Sequence, residues 1–363
     1  MPSETKQNTQ TIRTVRFVTV VGMILNIVLA AAKAAGGLFF YSQALLADAI
    51  HSLSDLVTDV ALIFGVIYFG ATIALVAAGA IATGGFNFVQ NIAGGYDTME
   101  VSTAQGALLN LGSLVIAIPI LALAALIMRD RPFSSYSSAR GGWDWGLFAK
   151  LMVIAFLVCG VPILVLELID PYPFNNQFTV AGFILLTLLG PLQCVAEEYI
   201  FRGLLMQTFG GWFRIPIIAV ILQAAIFMSM HPYNMVGRAT IFATGCAMGL
   251  MAWISRGIEA SSAIHIVNNM VSFYLAGFGL SPLSSEISVE GLLVTVAIDA
   301  VYVLVLLYLR RKGWFDRIKR DDVAEFNAKV EAKYAKKYVL NWKPGVAGPE
   351  ADAAAGQKIE ENI

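Results

Sequence analysis

The chain has 363 residues, of which 58% are hydrophobic and only 13% are charged. A soluble domain carries about 25% charged residues, so the composition excludes a soluble fold and predicts an all-α membrane protein. The formal net charge of -1 excludes the basic surface that nucleic-acid binding requires.

Ten apolar segments follow one another along the chain, each of a length that can cross a bilayer. A transmembrane helix needs about 20 mostly apolar residues. On that criterion the sequence predicts helices over 15–40, 45–67, 70–94, 105–128, 146–169, 178–208, 214–230, 237–255, 258–278 and 288–309. The expected fold is a polytopic bundle of about ten transmembrane helices.

The basic residues predict the orientation of this bundle. Of 24 Lys and Arg residues, 12 lie at or after Arg310, directly behind the last predicted helix. Basic residues collect on the cytoplasmic side of a membrane, and an even number of helices brings both termini to one side. We therefore expect a multi-pass plasma-membrane protein with cytoplasmic termini, and a polar, partly disordered cytoplasmic tail over 311–363. The Pro/Ser/Gly-rich connection over 131–145 is expected on the same side.

The densest cluster of charges inside an apolar segment is EEYIFRG, which begins at Glu197. A charged side chain in a bilayer costs about 3 kcal/mol or more, so such residues usually mark a function. Glu198 and Arg202 are four residues apart, on one face of a helix, and are expected to form an ion pair. Glu197 is rotated by about 100° from Glu198 and lacks that partner, which makes it the candidate general base.

Two of the three histidines lie farther along in similarly apolar segments. FMSMH ends at His231, and HIVNN begins at His265, which shares a helical face with Asn269. With Glu197, these residues supply a base, an imidazole that orients water and two hydrogen-bond donors, which are the groups that amide hydrolysis needs. The alternative is structural, because ion pairs and asparagines also hold transmembrane helices together.

The three motifs, EEYIFRGLL, FMSMH and HIVNN, resemble the EExxxR, FxxxH and HxxxN motifs of the CPBP family in order and in spacing. That family comprises type II CAAX prenyl endopeptidase relatives and bacteriocin-processing or self-immunity (Abi) proteins. The resemblance covers about 70–310, or eight predicted helices. It implies an intramembrane endopeptidase that cleaves a membrane-associated, prenylated or precursor peptide. A non-catalytic immunity or adaptor protein is the alternative.

The resemblance also implies roles for the residues of these motifs. Glu197 and His231 are expected to hold the attacking water, and His265 with Asn269 to form the oxyanion site. Glu198 and Arg202, the expected ion pair, are implied as supporting residues. No cofactor is expected. The alternative is a zinc ion held by Glu197, His231 and His265, although the sequence has no HExxH motif on one helix.

A depth estimate does not bring these residues together. At about 1.5 Å per residue, Glu197 lies near the middle of the membrane, and His265 lies roughly 10 Å from the cytoplasmic face. On the same scale His231 lies roughly 24 Å from that face. A shared site therefore requires tilted or broken helices, or different helix boundaries between 208 and 237.

The first 69 residues show a different pattern. The segment SQALLADAIHSLSD, which ends at Asp55, resembles the first two helices of cation diffusion facilitator transporters. His51 and Asp55, one helical turn apart, match half of that family's tetrahedral metal site, and no second His-xxx-Asp pair exists in the chain. We therefore expect a transporter-like helical hairpin over 1–69, fused to a protease-like core over 70–310. Divalent-cation transport is a further alternative function.

Overall fold

The computed structural model describes residues 64–74, 101–128, 131–169 and 172–318, together with Ala32, Ala324, Glu325 and Ala328. All regular elements in these ranges are helices, and strand-like pairing within them is limited to one bridge between Ser138 and Gly257. The predicted all-α class is therefore confirmed. The predicted division into 1–69, 70–310 and 311–363 stays a prediction.

The helices of these ranges are numbered here in chain order. They are α1 (Phe64–Ala74), α2 (Ala104–Asn110), α3 (Gly112–Val115), α4 (Ala117–Met128), α5 (Ser134–Ser137), α6 (Trp145–Ala155), α7 (Val161–Ile169), α8 (Val180–Glu198), α9 (Met206–Phe213), α10 (Pro216–Ser229), α11 (Met235–Ser255), α12 (Glu259–Gly277) and α13 (Val289–Arg311). The π-helical segments Phe156–Gly160 and Tyr199–Leu205 connect α6 to α7 and α8 to α9. Each of these pairs is therefore one continuous helical rod.

Several rods are long and apolar enough to cross a membrane. They are Gly106–Ile127, Trp145–Glu167, Val180–Phe213, Met235–Ser255 and Val289–Arg311, while α1 and α10 are apolar but shorter. The protein is a polytopic helical membrane protein, as the composition predicts. The number of ten helices stays a prediction, because the predicted helix over 15–40 and most of those over 45–67 and 70–94 lie outside the described residues.

The distribution of side chains is that of a protein in lipid. Large apolar residues such as Val180 and Ile169 are 80% and 74% exposed on the outside of the bundle. In contrast, Glu198, Arg202 and Glu259 are almost completely buried. Because charged side chains are costly next to hydrocarbon, they are expected to face the interior of a membrane bundle, and these three do.

Two predicted helix boundaries are wrong. Helix α1 runs without a break through 68–69, where the sequence predicts a separation between two helices. The helix predicted over 178–208 continues to Phe213, because residues 206–213 are apolar enough to extend it. The rod ends at Arg214, which adopts a left-handed conformation with a φ angle of 54°.

The middle of the connection over 131–145 is buried in the bundle. Tyr136, Ser138 and Arg140 are at most 3% exposed. The amide of Ile258 donates to the carbonyl of Ser137 at 2.8 Å, which holds the connection against the start of α12. Helix α12 therefore begins inside the protein rather than at its edge.

An ion pair between Arg140 and Glu259 also holds this connection against the start of α12. Arg140 Nη2 lies 2.7 Å from Glu259 Oε1, and the other guanidinium nitrogen donates to the carbonyl of Ser255. Glu259 Oε1 also accepts from the amide of Asp144 at 3.1 Å. The pair ties the first residue of α12 to a segment more than 100 positions earlier in the chain, and so sets the height of every residue on α12.

Helices α10 and α11 pack closely because α11 carries glycines on the shared face. A Cβ atom at Gly245 would lie 3.0 Å from that of Ala224, and one at Gly249 would lie 3.0 Å from Gln223 Nε2. This approach allows Gln223 Nε2 to donate to the carbonyl of Gly245 at 2.8 Å. Small residues therefore create the contact that places α11 beside the site.

Candidate active site

His265, on α12, lies between the two adjacent glutamates of α8. Its Nδ1 atom is 2.9 Å from Glu198 Oε1, and its Nε2 atom is 3.4 Å from Glu197 Oε2. All three side chains are buried. Because a carboxylate only accepts hydrogen bonds, Nδ1 carries the proton that is shared with Glu198. The other nitrogen and Glu197 face each other at a distance that is long for an ordinary N–H···O bond.

The predicted ion pair between Glu198 and Arg202 is present. Arg202 Nη1 lies 2.9 Å from Glu198 Oε1, although the helix changes to the π form directly after Glu198. Arg202 Nη2 also donates to the carbonyl of Gly245 at 3.3 Å. π-helical turns often occur at functional sites, where they shift side chains along the helix. Here Arg202 joins α8 to α11, and Glu198 joins α8 to α12.

His231 lies just beyond the end of α10 and is held by the chain before it. Its Nδ1 atom is 2.7 Å from the carbonyl oxygen of Phe227. A carbonyl accepts, so Nδ1 is the donor, and Nε2 of the neutral ring is left as an acceptor. This is the nitrogen that can receive a hydrogen from water.

Phe227, the first residue of the FxxxH motif, lies among residues of all three motifs. Its centroid lies 4.5 Å from the His231 ring, 6.4 Å from the His265 ring and 4.8 Å from the Arg202 guanidinium carbon. The ring therefore fills the space between the three motifs. A guanidinium at this distance from an aromatic face also gains a cation–π interaction.

Asn269 lies one turn after His265, as predicted. The neighbouring Asn268 donates from Nδ2 to Asn269 Oδ1 at 3.1 Å. This bond assigns the carbonyl side of the Asn269 amide as the acceptor and so orients the amide. Asn269 is half-buried, whereas Asn268 is exposed.

The expected catalytic residues line one cavity of about 390 Å³. Its walls include Glu197, His231, His265 and Asn269, which come from α8, from the end of α10 and from α12. Glu198 and Arg202 do not line the cavity and are buried behind it. The structure thus brings together residues of three motifs that are spread over more than 70 positions of the chain.

The sequence-based depth estimate for Glu197 is wrong, because its helix extends to Phe213 and not only to residue 208. Counted back from Phe213, Glu197 lies about 24 Å along its rod. Counted forward from Pro216, His231 lies about 22 Å along α10 and the residues that follow it. The two side chains are therefore at similar height on either side of the turn at Arg214.

Polar residues that the motifs do not contain also line the cavity. They include Glu167 of α7, Thr244 of α11 and Asp299 of α13. Asp299 has a clear signal in the sequence, because it is the only charged residue between Glu290 and Arg310 in an otherwise apolar segment. The rule that singles out intramembrane charges applies to it as much as to Glu197.

The suggested zinc ligands do not converge on one point. In the part of the chain that the structure describes, no group of three His, Cys, Asp or Glu side chains has the arrangement of a metal site. Glu197, His231 and His265 all belong to that part, and His265 instead contacts both glutamates. These residues do not fit a tetrahedral zinc ion as they stand. The other predicted metal ligands, His51 and Asp55, lie outside the described residues.

Two family models match the chain, in separate segments. Residues 177–271 match a type II CAAX prenyl endopeptidase Rce1-like domain, which contains all three motifs. Residues 19–82 match a cation efflux transmembrane domain, which contains His51 and Asp55 and continues past residue 69. Both resemblances inferred from the sequence are confirmed by these matches.

Curated relatives match only parts of the chain. Mitochondrial metal transporters 2 and 1 of Saccharomyces cerevisiae are 49% identical over 51 residues and 52% identical over 42 residues. These matches cover 14% and 12% of this chain, and 10% and 8% of the two transporters. The uncharacterized protein YyaK of Bacillus subtilis is 29% identical over 123 residues, or 32% of this chain and 41% of that protein.

The chain thus spans less than half the length of each of these relatives. No solved structure gives a significant match. The similarity supports a segment of the membrane-protease type after a segment of the cation-efflux type, both within one multi-pass membrane protein.

Proposed function

We propose that the protein is an intramembrane endopeptidase that hydrolyses a peptide bond with a water molecule activated by Glu197. The observation that carries the proposal is the shared cavity, in which Glu197, His231, His265 and Asn269 meet between membrane-crossing helices. The match of 177–271 to a CAAX endopeptidase model supports the reaction class. Membrane-associated peptides, prenylated or unprocessed, are the proposed substrates, and the plasma membrane with cytoplasmic termini is the proposed location.

The first step uses Glu197 and His231. Neutral His231 donates from Nδ1 to Phe227, so its Nε2 atom accepts a hydrogen from the water and orients it. Glu197 removes the other proton as the water oxygen attacks the carbonyl carbon of the peptide. The resulting tetrahedral intermediate carries a negative oxygen. When the C–N bond breaks, the proton passes from Glu197 to the leaving amine, and a carboxylic acid product remains.

His265 and Asn269 act on the oxyanion in this proposal. Glu198 holds the Nδ1 proton of His265, and a second proton on Nε2 lets the ring donate toward Glu197 and the oxyanion. The buried group then contains two carboxylates, one guanidinium and one imidazolium, and is neutral as a whole. Such balance is needed because an unpaired buried charge costs several kcal/mol. The amide of Asn269 supplies a second donor.

We further propose that no metal takes part, since the three candidate ligands do not fit a zinc ion. Cleavage is expected to persist after dialysis against a strong chelator and to show no stimulation by added zinc. Loss of cleavage in the chelator, with recovery on addition of zinc alone, would contradict the metal-free route and leave the peptidase assignment intact.

The peptidase proposal is tested with purified protein in phospholipid vesicles. A farnesylated peptide with a CAAX terminus and the same peptide without lipid are added, and the products are identified by mass spectrometry. Glu197→Gln is expected to reduce cleavage by about 1000-fold, since general base catalysis contributes 100- to 10,000-fold. The matched control is Glu290→Gln, an exposed glutamate at the start of α13 that should leave cleavage unchanged.

The same variants address the non-catalytic alternative. If cleavage by folded Glu197→Gln equals that of the wild type, the proposed peptidase mechanism is wrong. If the wild type cleaves neither peptide and Glu197→Gln only lowers the melting temperature, the polar cluster serves helix packing, as expected of an adaptor or immunity protein.

Divalent-cation transport is the second candidate function, because residues 19–82 match a cation efflux domain. His51 and Asp55 supply two ligands, whereas a tetrahedral site needs four, so two copies of the chain would have to share the ion. Zinc or manganese flux into vesicles that disappears in Asp55→Ala would establish transport. Equal flux in Asp55→Ala and in the wild type would remove this candidate.

A further inference from the structure

The cavity of the proposed peptidase contains a buried carboxylate that takes no part in the Glu197–His265 contact. Asp299, in the middle of α13, lines the cavity and is 6% exposed. Thr244 Oγ1 donates to Asp299 Oδ2 at 2.8 Å. No other hydrogen bond to the Asp299 side chain occurs among the described residues, so its second oxygen, Oδ1, is available to a group in the cavity.

The other buried carboxylates of the bundle are paired differently. Glu198 is bound by Arg202, and Glu259 is bound by Arg140. Asp299 has no Lys, Arg or His within ion-pair distance in the part of the chain that the structure describes. A structural carboxylate in a membrane bundle is expected to have such a partner, because an unpaired charge there is costly. The charge of Arg202 reaches Asp299 only from beyond that distance, and Arg202 is already bound to Glu198. Asp299 therefore lacks a partner of its own, which points to a ligand.

The charge of the cavity agrees with a cationic ligand. Its described lining includes three carboxylates, Glu167, Glu197 and Asp299, and contains no Lys or Arg. Glu167 is half-buried on α7, and Ser281 Oγ donates to its Oε1 atom at 3.1 Å. Even with His265 as an imidazolium the carboxylates are in excess, and a cleft of net negative charge with apolar walls concentrates positive charge. The cavity is thus suited to a positively charged group.

Asp299 lies close to the reaction centre but on another wall. Its partner Thr244 precedes Gly245, whose carbonyl binds Arg202, the residue paired with Glu198. Asp299 thus belongs to the same polar layer of the bundle as the glutamates. A volume of about 390 Å³ falls in the range of ligand-binding sites and accommodates peptide groups at both positions.

We propose that Asp299 is a specificity-determining residue that binds a lysine or arginine side chain of the peptide substrate, near the bond that is cleaved. The inference rests on the proposed function for its substrate class. An ammonium or guanidinium group supplies the hydrogen-bond donors that Oδ1 lacks, and the attraction between opposite charges is strong in a medium of low dielectric constant. A neutral side chain at that position would leave the carboxylate unpaired.

The experiment measures binding, so that it does not depend on cleavage. Two membrane-anchored peptides are compared that differ at one position, lysine in one and norleucine in the other, with Glu197→Gln as the protein background in vesicles. The lysine peptide is expected to bind about thirtyfold more tightly, as for a buried charge pair. In Asp299→Asn the ratio of the two dissociation constants should fall to about one, whereas Asp299→Glu, which keeps the charge, should retain a preference for lysine.

Charge reversal and a control complete the test. Asp299→Lys should prefer a third peptide with glutamate at the varied position, and Glu290→Gln should behave as the unsubstituted background. Equal binding of the lysine and norleucine peptides in the background, or an unchanged preference in Asp299→Asn, would overturn the inference. If Asp299→Asn does not fold, Asp299→Glu decides the test. Equal binding of both peptides by folded Asp299→Glu would also overturn the inference. Cleavage by Glu197→Gln at the wild-type rate would overturn the proposed function and leave the binding result standing.

Discussion

Glu198 and His265 share a hydrogen bond of 2.9 Å between Oε1 and Nδ1, and the same oxygen accepts from Arg202 Nη1 at 2.9 Å. One carboxylate oxygen thus joins the first and third motifs and fixes the orientation of the imidazole. The other oxygen of Glu198 is buried without a hydrogen-bond partner among the described residues. Glu198 therefore holds the imidazole in place, and Glu197 is the carboxylate that lines the cavity.

Glu198→Gln is expected to lower the free energy of unfolding by about 3 to 5 kcal/mol, because it leaves Arg202 buried without its counter-charge. The double variant Glu198→Gln, Arg202→Met removes both charges and should recover a large part of this loss. Thermal unfolding of the two variants in detergent checks the coupling. A double variant that is no more stable than Glu198→Gln alone would show that the ion pair is not the reason for the loss.

His231→Phe is expected to separate catalysis from packing. The new ring can take the place of the imidazole beside Phe227 and Tyr233, whose centroids lie 4.5 and 6.2 Å from it. It has no nitrogen to orient water, so cleavage should fall by about 100-fold or more, while the melting temperature changes by only a few degrees. Cleavage at the wild-type rate would exclude His231 from the reaction.

Much of the polar site could be predicted from the sequence because a membrane makes charged residues rare. Once the loops and the tail are set aside, the segment that begins at Glu197 stands out, and its spacing alone predicts the ion pair between Glu198 and Arg202. Asp299 satisfies the same criterion but belongs to none of the three motifs, so the motifs alone do not identify it.

The relative heights of the residues could not be predicted. His265 lies beside Glu197 because α12 begins at Glu259 inside the bundle, and that depth depends on Arg140, which is distant in the sequence. Glu197 reaches the level of His231 because its own rod extends to Phe213. Both effects come from long-range packing, whereas hydropathy reports only which residues are apolar.

Arg140 and Glu259 should be coupled to cleavage as well as to stability. Arg140→Met leaves Glu259 unpaired and should cost about 3 to 5 kcal/mol, and the shift at the start of α12 should also slow cleavage through His265. Arg140→Met, Glu259→Met should regain stability. Arg310→Met, which changes an exposed arginine at the end of α13, is the matched control. Full cleavage by Arg140→Met would show that the pair does not position α12.

Two glycines, one in the contact between α10 and α11 and one in α9, are expected to respond oppositely to a larger side chain. A Cβ atom at Gly249 would lie 3.0 Å from Gln223 Nε2 and 3.1 Å from Val220 Cγ1, so Gly249→Val should destabilise the protein by about 1 to 3 kcal/mol through overpacking. Gly211, inside α9, has nothing within 4 Å of the corresponding position. There Gly211→Ala should be stabilising by about 0.5 to 1 kcal/mol, because alanine loses less conformational freedom in a helix.

Thermal unfolding distinguishes these two effects, and cleavage adds a second measure. Gly249→Val forces Gln223 away from the carbonyl of Gly245, the same oxygen that binds Arg202. Its effect should therefore reach the Glu198–Arg202 pair and lower cleavage, whereas Gly211→Ala should leave cleavage unchanged. If Gly249→Val lowered stability with no effect on cleavage, the carbonyl of Gly245 would be a packing contact that is independent of the site.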